Sequence, residues 1–194
     1  MIKLMSVVIF GGIHAPELTQ SFVEGLVGSP LSNAYDSSNL RNILIVPAID
    51  YSVAAFSIAE FLRERQGEPK ETYKLVFISF SAGVIGAILS AWGWQLLGGH
   101  VAAFIALDGW GVPLFGNFPI HRLSHDYFTH WSSALLGSGF DSFYADPPVE
   151  HLSMWRSPQI VEGWWLHGSD GTQVLERLSA AEFLTTLLKC YEEL

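Results

Sequence analysis

The chain has 194 residues, which is enough for one domain with a sizeable core and short for two. Apolar residues make up 49% and charged residues 15%, which excludes a disordered chain. The net charge of −9 disfavours binding to nucleic acid or to an anionic membrane surface. A lone cysteine, Cys190, provides neither an internal disulfide nor a metal framework, so we expect a reducing, cytoplasmic setting.

The first part of the chain alternates between predicted strands and helices. An apolar strand is predicted over Leu4–Phe10, where a strand explains the pattern better than a signal peptide does. A helix is predicted to open at Pro16, since proline fits the first helical turn, and to stop at Gly28. A second strand is predicted over 42–46. The following helix is predicted over 52–67, with Ser52 as its N-cap.

The middle of the chain, residues 73–107, reads as strand, helix and strand. An apolar strand ends in the turn Ser-Phe-Ser-Ala-Gly, and a largely apolar helix over 83–97 and a strand over 101–107 follow. No Asp, Glu, Lys or Arg occurs from residue 75 to residue 107. A membrane helix needs about 20 consecutive apolar residues, and these elements are each shorter, so we expect no transmembrane segment.

The last part contains a predicted fifth strand over 140–145, a short sixth over 164–167 and a final helix. Ser179 and Glu182 have the spacing of a capping box at the start of that helix. Alternation of this kind predicts a three-layer α/β/α sandwich with a mostly parallel central sheet. We expect one domain over residues 1–194, with the aromatic-rich segment 109–165 forming a loop or cap-like insertion beside the site.

The turn around Ser81 is the most informative motif. A strand that passes through a tight turn into a helix can expose a serine at its apex as a nucleophile. Such a turn requires small residues on both sides because the two backbones pass close together. Gly83 meets this requirement after the serine, while Ser79 stands where the usual pattern has a glycine.

A nucleophilic serine requires a histidine base and a carboxylate that orients it. In a parallel sheet these partners follow strands at the same edge as the serine. Asp108 ends the strand after the elbow helix, and we prefer to pair it with His151. The alternative pairs Asp146 with His167, and Asp170 is a third, later candidate for the acid.

The remaining site residues are predicted from the loops that would surround Ser81. The backbone amides of Ala82 and Ile13 are candidates for an oxyanion hole, the second because Gly11-Gly12 allows the backbone to approach a substrate. Aromatic side chains and one histidine are candidates for an apolar acyl pocket, unless they pack against the domain's own sheet instead: His14, Trp110, Phe115, Trp131 and Trp155.

A second group of residues has a spacing that suggests metal ligands. His121 with His125, and Asp126 with His130, would each pair four residues apart on a helix. The two pairs do not share one helix face, and no glutamate base accompanies them. We therefore predict a polar loop or helix face bordering the site, with no metal.

The Gly-Gly-Ile-His loop, the Ser-Phe-Ser-Ala-Gly elbow, Asp108 and His151 together resemble the α/β-hydrolase superfamily, and in particular its small members such as compact lipases and cutinases. The resemblance implies a Ser–Asp–His triad that hydrolyses a carboxylic ester or thioester of a hydrophobic acyl group, without a cofactor. Two features depart from the usual pattern of this superfamily. Ser79 replaces a glycine, and the acid, Asp108, follows the strand that comes immediately after the helix of the elbow. The alternative is a non-catalytic binding or scaffold protein of the same fold. The oligomeric state stays open.

Overall fold

A computed structural model describes residues 4–28, 42–47, 54–69, 73–137, 139–168 and 174–193. The strands are β1 (Leu4–Phe10), β2 (Ile43–Val46), β3 (Tyr73–Phe80), β4 (His100–Leu107), β5 (Ile120–Ser124), β6 (Ser142–Ala145), β7 (Glu162–His167) and β8 (Val174–Ser179). The helices are α1 (Pro16–Val27), α2 (Ala54–Gln66), α3 (Gly83–Leu96), α4 (Tyr127–Ala134), α5 (His151–Arg156) and α6 (Ala180–Glu193), with a 3-10 turn over Pro158–Ile160.

These strands form one sheet in the order β2-β1-β3-β4-β5-β6-β7-β8. The neighbours from β2 to β6 are parallel, whereas β7 and β8 are antiparallel to their neighbours. The carboxyl ends of β1 to β6 therefore meet at one edge of the sheet. The predicted α/β class with a mostly parallel sheet is confirmed.

Apolar side chains alternate between the two faces of the sheet and form a core on each. Val7 and Ile9 of β1 pack with Phe22 of α1 and with residues of α6. Val8 and Phe10, one residue out of phase, pack with residues of α2 and α3. Helices thus cover both faces, which explains why β1, β3 and β4 are apolar almost without interruption.

Two predicted helix starts have the expected local chemistry. Pro16 occupies the first turn of α1. At the start of α6, the Ser179 amide donates to Glu182 Oε2 at 2.8 Å and the Glu182 amide donates to Ser179 Oγ at 3.2 Å, which is a capping box. The predicted cap at Ser52 lies outside the described residues. No helix in the described ranges is long and apolar enough to cross a bilayer.

The prediction for 109–165 as a loop or cap-like insertion is wrong. This segment contributes β5, α4, β6 and α5, and so forms the central part of the sheet and its cover. The hydrophobic pattern of the sequence did not predict β5, because this strand carries the buried polar residues His121 and Arg122. His121 Nε2 lies 2.6 Å from the Tyr191 hydroxyl, and Arg122 donates to backbone carbonyls, so both are accommodated inside the fold.

Candidate active site

Ser81 stands at the junction of β3 and α3 with a φ of 53°, in the left-handed region that is costly for any residue other than glycine. Its amide donates to Leu107 O at 2.9 Å, which ties the turn to the end of β4. A Cβ on Gly83 would collide with the carbonyl oxygen of Gly11, and one on Gly12 would lie 3.0 Å from Ser81 Cβ. The turn and the loop after β1 therefore approach so closely that position 83 requires glycine, and a side chain at position 12 would make a tight contact with the turn.

Ser79 occupies the position where the usual elbow has glycine, and its surroundings explain why a serine fits. The side chain is completely buried, and its hydroxyl donates to Ile105 O at 3.2 Å. The hydroxyl is thus satisfied within the sheet and does not obstruct the turn.

Asp108 follows β4 and has a φ of 50°, so it shares the backbone conformation of Ser81. Its amide donates to Leu123 O of β5 at 2.8 Å. The carboxylate is almost completely buried, with 2% of its side chain exposed. A buried carboxylate requires hydrogen-bond donors, and two histidines provide them.

His151, the first residue of α5, bridges Ser81 and Asp108. Its Nε2 lies 3.1 Å from Ser81 Oγ, and its Nδ1 lies 2.8 Å from Asp108 Oδ2. One tautomer satisfies both contacts: Nδ1–H donates to the carboxylate and Nε2 accepts from the hydroxyl. The ring also stacks on Phe80, with centroids 4.6 Å apart, which holds its plane.

His125 was predicted on a polar loop or helix face bordering the site, but not as a partner of Asp108. It follows β5, its Nδ1 lies 3.0 Å from Asp108 Oδ2, and its amide donates to Asp108 Oδ1 at 2.9 Å. The signal that could have found it is its place at the carboxyl end of a parallel strand. That signal was invisible while 120–124 was interpreted as a loop or helix.

Opposing effects act on the ionisation of this cluster. Burial by itself raises the pKa of Asp108, but the hydrogen bonds from His125 and His151 outweigh it, and the pKa lies below the ordinary aspartate value. The hydrogen bond to Asp108 raises the pKa of His125; burial opposes this shift, and the charges of Asp108, Asp126 and Glu150 add to it. Asp108 is therefore a stable anion between two imidazoles.

An open cleft of about 370 Å³ lies over these residues. Ser81, Asp108, His125 and His151 form its polar side, and the remaining lining residues are Ala82, Ile85, Trp110, Val112 and Thr129. The mixture of an apolar wall and a compact polar cluster is typical of a small-molecule site.

Only some of the predicted pocket residues line the cleft. Trp110 lines the cleft. Trp155 does not: it is completely buried in the core, stacked on Phe22 with centroids 3.7 Å apart, so its placement in the pocket is wrong. Phe115 packs against Trp92 outside the cleft, and Trp131 packs against Phe128.

His14 and Ile13 lie on the loop beside Ser81. His14 Nε2 accepts from the Gly12 amide at 3.0 Å, and its Nδ1–H donates to Ala15 O at 2.9 Å. His14 therefore orders the loop and lines a separate small cavity of about 90 Å³ instead of the main cleft. The Gly12 amide is occupied in this way, which leaves the neighbouring Ile13 amide as the candidate donor from this loop.

The alternative acid and base are not brought to Ser81. Asp146 Oδ2 accepts from Trp164 Nε1 at 2.8 Å, and His167 Nε2 lies 3.7 Å from Glu176 Oε2. His167 ends an antiparallel strand, so it lies at the opposite edge of the sheet from the turn at Ser81. Asp170 lies outside the described residues.

The residues considered as metal ligands do not converge as a set of four. His121 belongs to β5 and His125 follows that strand, so these two histidines do not pair on a helix, whereas Asp126 is the N-cap of α4 and His130 lies within it. In the part of the chain that the structure describes, the ligand atoms of Asp108, His125 and His151 lie within 4.8 Å of one another. Asp108 Oδ2 is at hydrogen-bond distance from both imidazoles, so hydrogen bonds account for this grouping.

No protein-family model matches the chain, and no curated protein matches it. The chemistry of the cleft therefore has to be inferred from its own geometry.

Proposed function

We propose that the protein is a serine hydrolase of the α/β-hydrolase type that cleaves a carboxylic ester or thioester through an acyl-enzyme. The observation that carries this proposal is the continuous contact from Ser81 through His151 to Asp108, with the serine on a left-handed turn between strand and helix. A serine with a purely structural role requires neither a strained turn nor a histidine that is itself bonded to a buried carboxylate.

In the proposed reaction, Ser81 Oγ attacks the substrate carbonyl carbon while its proton passes to His151 Nε2. Asp108 stabilises the imidazolium that forms. The negative charge on the carbonyl oxygen would be stabilised by the amides of Ala82 and Ile13. His151 then gives its proton to the departing alcohol or thiol, and the acyl group stays on Ser81.

Hydrolysis of the acyl-enzyme repeats these steps with water as the nucleophile. His151 takes a proton from the water, which attacks the acyl carbon, and then returns a proton to Ser81 Oγ as the carboxylic acid leaves. These steps require no cofactor. The side chains of Ile85, Trp110 and Val112 along the cleft favour a hydrophobic acyl group.

The proposal is tested by labelling the protein with a fluorophosphonate and locating the adduct by intact mass and peptide mapping. We expect one adduct on Ser81 in the wild type, and none in Ser81→Ala or His151→Ala. His167→Ala is the matched control and should label as the wild type does. Turnover of p-nitrophenyl esters should follow the same order.

A folded wild-type protein that takes no label and cleaves none of the esters would contradict the proposal. Retained turnover in Ser81→Ala would show that another group performs the chemistry. Circular dichroism and thermal unfolding of each variant separate loss of the nucleophile from loss of the fold.

A further inference from the structure

The Asp108 carboxylate has more partners than a triad needs. Oδ2 is shared by the Nδ1 atoms of His151 at 2.8 Å and of His125 at 3.0 Å. The opposite nitrogen of the His125 ring, Nε2, lies 3.6 Å from Asp126 Oδ2. A row of alternating acids and imidazoles thus runs from Asp126 through His125, Asp108 and His151 to Ser81.

We propose that His125 is a positioning residue that acts through Asp108, and that its protonation state sets how readily His151 accepts the Ser81 proton. This inference rests on the proposed function, because it concerns the same serine, base and acid. It assigns to His125 a role that a three-residue triad does not contain.

The geometry around Asp108 supports a positioning role for His125. His125 contacts both oxygens of Asp108, Oδ1 through its backbone amide at 2.9 Å and Oδ2 through Nδ1. Two contacts of this kind prevent the carboxylate from rotating, so Oδ2 remains directed at His151. In addition, the Val149 amide donates to His125 O at 3.0 Å, which joins the loop that carries His125 to the loop that leads into His151.

The charges around His125 support an effect of its protonation state on His151. The titratable groups that face His125 are Asp108 after β4, Asp126 at the N-cap of α4, Glu150 before α5 and His151 itself. The two imidazole rings lie 5.7 Å apart, and 24% of the His125 side chain is exposed. A proton on His125 therefore opposes a second positive charge on His151, which is the charge that must form when Ser81 attacks.

His125 therefore has different effects on Asp108 and His151 in its two protonation states. When neutral, its Nδ1–H still holds Asp108 in place. When protonated, it competes with His151 for the same carboxylate, and the serine becomes harder to activate. We expect reactivity to rise with pH as His125 loses its proton.

Two variants separate the effect of the hydrogen-bond donor at His125 Nδ1 from the effect of the positive charge on the protonated ring. His125→Asn places an amide donor near the position of Nδ1 but cannot titrate, whereas His125→Phe keeps a ring without a donor. We expect the fluorophosphonate labelling rate at pH 8.5 to fall about tenfold in His125→Phe, and to be largely rescued in His125→Asn. On lowering the pH, the wild type should lose rate more steeply than His125→Asn, because protonation of His125 adds to the loss in the wild type and is absent from the variant.

A second measurement does not depend on activity. The imidazole NMR signals of His125 are titrated in the wild type and in His151→Gln. Since both rings compete for Asp108, removing His151 should move the His125 midpoint to higher pH. An unchanged midpoint would overturn the inference, and so would equal pH profiles for the wild type and His125→Asn.

The two proposals fail in different ways. If the midpoint moves but the wild type takes no label, the coupling of the two histidines stands and the serine-hydrolase proposal fails. If the wild type labels on Ser81 but the midpoint stays where it was, the hydrolase proposal stands and the role of His125 is wrong. Should His125→Phe not fold, the pH profile of His125→Asn and the NMR titration still decide the inference.

Discussion

The candidate acids and bases lie in two regions of the sheet, and among the described residues only those of one region meet Ser81. At the cleft edge, which we define by Ser81, Asp108, His125 and His151, each residue follows one of the successive parallel strands β3 to β6. At the flank, which we define by β7, β8 and Asp146, the two strands are antiparallel to their neighbours. Asp146 follows the parallel strand β6, but its carboxylate accepts from Trp164 of β7 at 2.8 Å. Parallel strands deliver their carboxyl ends to the same edge, whereas each antiparallel strand delivers its end to the other edge.

Register strengthens this difference. Backbone hydrogen bonds run from Ser81 to Leu107 and from Asp108 to Leu123, so each turn at the cleft edge is held by the end of the next strand. At the flank, Gly163 pairs with Ala145 while Leu166 pairs with Ser142. The chain therefore travels away from the cleft along β7 and reaches His167 a full strand length from it.

The largest expected effect compares the two acids. Asp108→Asn should lower the esterase or labelling rate by about 10,000-fold, because an amide does not stabilise the imidazolium and favours the wrong tautomer of His151. Asp146→Asn should change the rate by less than about twofold. A larger loss in Asp146→Asn than in Asp108→Asn would mean that the flank, and not the cleft edge, completes the site.

The next comparison concerns two tryptophans. Trp155 is stacked between Phe22 and Phe80 beneath the cleft and has no exposed surface. Its replacement by alanine should lower the free energy of unfolding by about 3–5 kcal/mol. Trp164 at the flank is half-buried, and Trp164→Ala should cost less than about 1.5 kcal/mol. Urea denaturation measures both, and equal losses would show that the flank is packed as tightly as the centre.

Two arginines extend the comparison to polar groups. Arg122 is buried in β5 and donates to the carbonyl oxygens of Gly137, Leu136 and Val112, and burial lowers its pKa to about 10. Arg122→Leu leaves those carbonyls without this donor and should cost about 2–3 kcal/mol. Arg177 at the flank is exposed, so Arg177→Leu should cost less than about 0.5 kcal/mol in the same denaturation assay.

The smallest expected effect is the pH dependence of stability at the cleft edge. The pKa of His125 is raised in the folded protein, mainly by Asp108, so folding favours its charged form. Its contribution to stability is fully present below the ordinary histidine pKa of about 6.5 and is lost as the pH rises through the raised value. The unfolding free energy of the wild type relative to His125→Asn should be greater at pH 5.5 than at pH 9, by less than about 1 kcal/mol. A difference of the opposite sign would contradict the ion pair.

The predictions from sequence agree with the structure where a feature depends on residues that are close together in the chain. The apolar strands β1, β3 and β4, the glycine after Ser81 and the capping box at Ser179 depend on neighbours within a few residues, and each occurs where it was predicted. The position of Asp108 at the end of β4 follows from the same strand pattern.

The predictions from sequence failed where the structure depends on contacts between residues that are far apart in the chain. β5 contains His121 and Arg122, which are unusual in the middle of a sheet. Their burial depends on contacts of His121 with Tyr191 and with Asp141 O, and of Arg122 with the carbonyl oxygens of Val112, Leu136 and Gly137. Because β5 was missed, His125 could not be placed beside Asp108. Trp155 was assigned to the pocket because a buried tryptophan and a ligand-binding tryptophan look the same in a sequence.

By itself, the sequence determined the α/β class, the turn that presents Ser81 and the strand end that carries Asp108, because strand period, glycine placement and helix capping act over short distances along the chain. Only the tertiary structure decided which histidines reach Asp108, and that β7 and β8 reverse direction. Those outcomes depend on the order and sense in which strands pair across the sheet. The side chains that follow β4, β5 and β6 meet only after that pairing has formed.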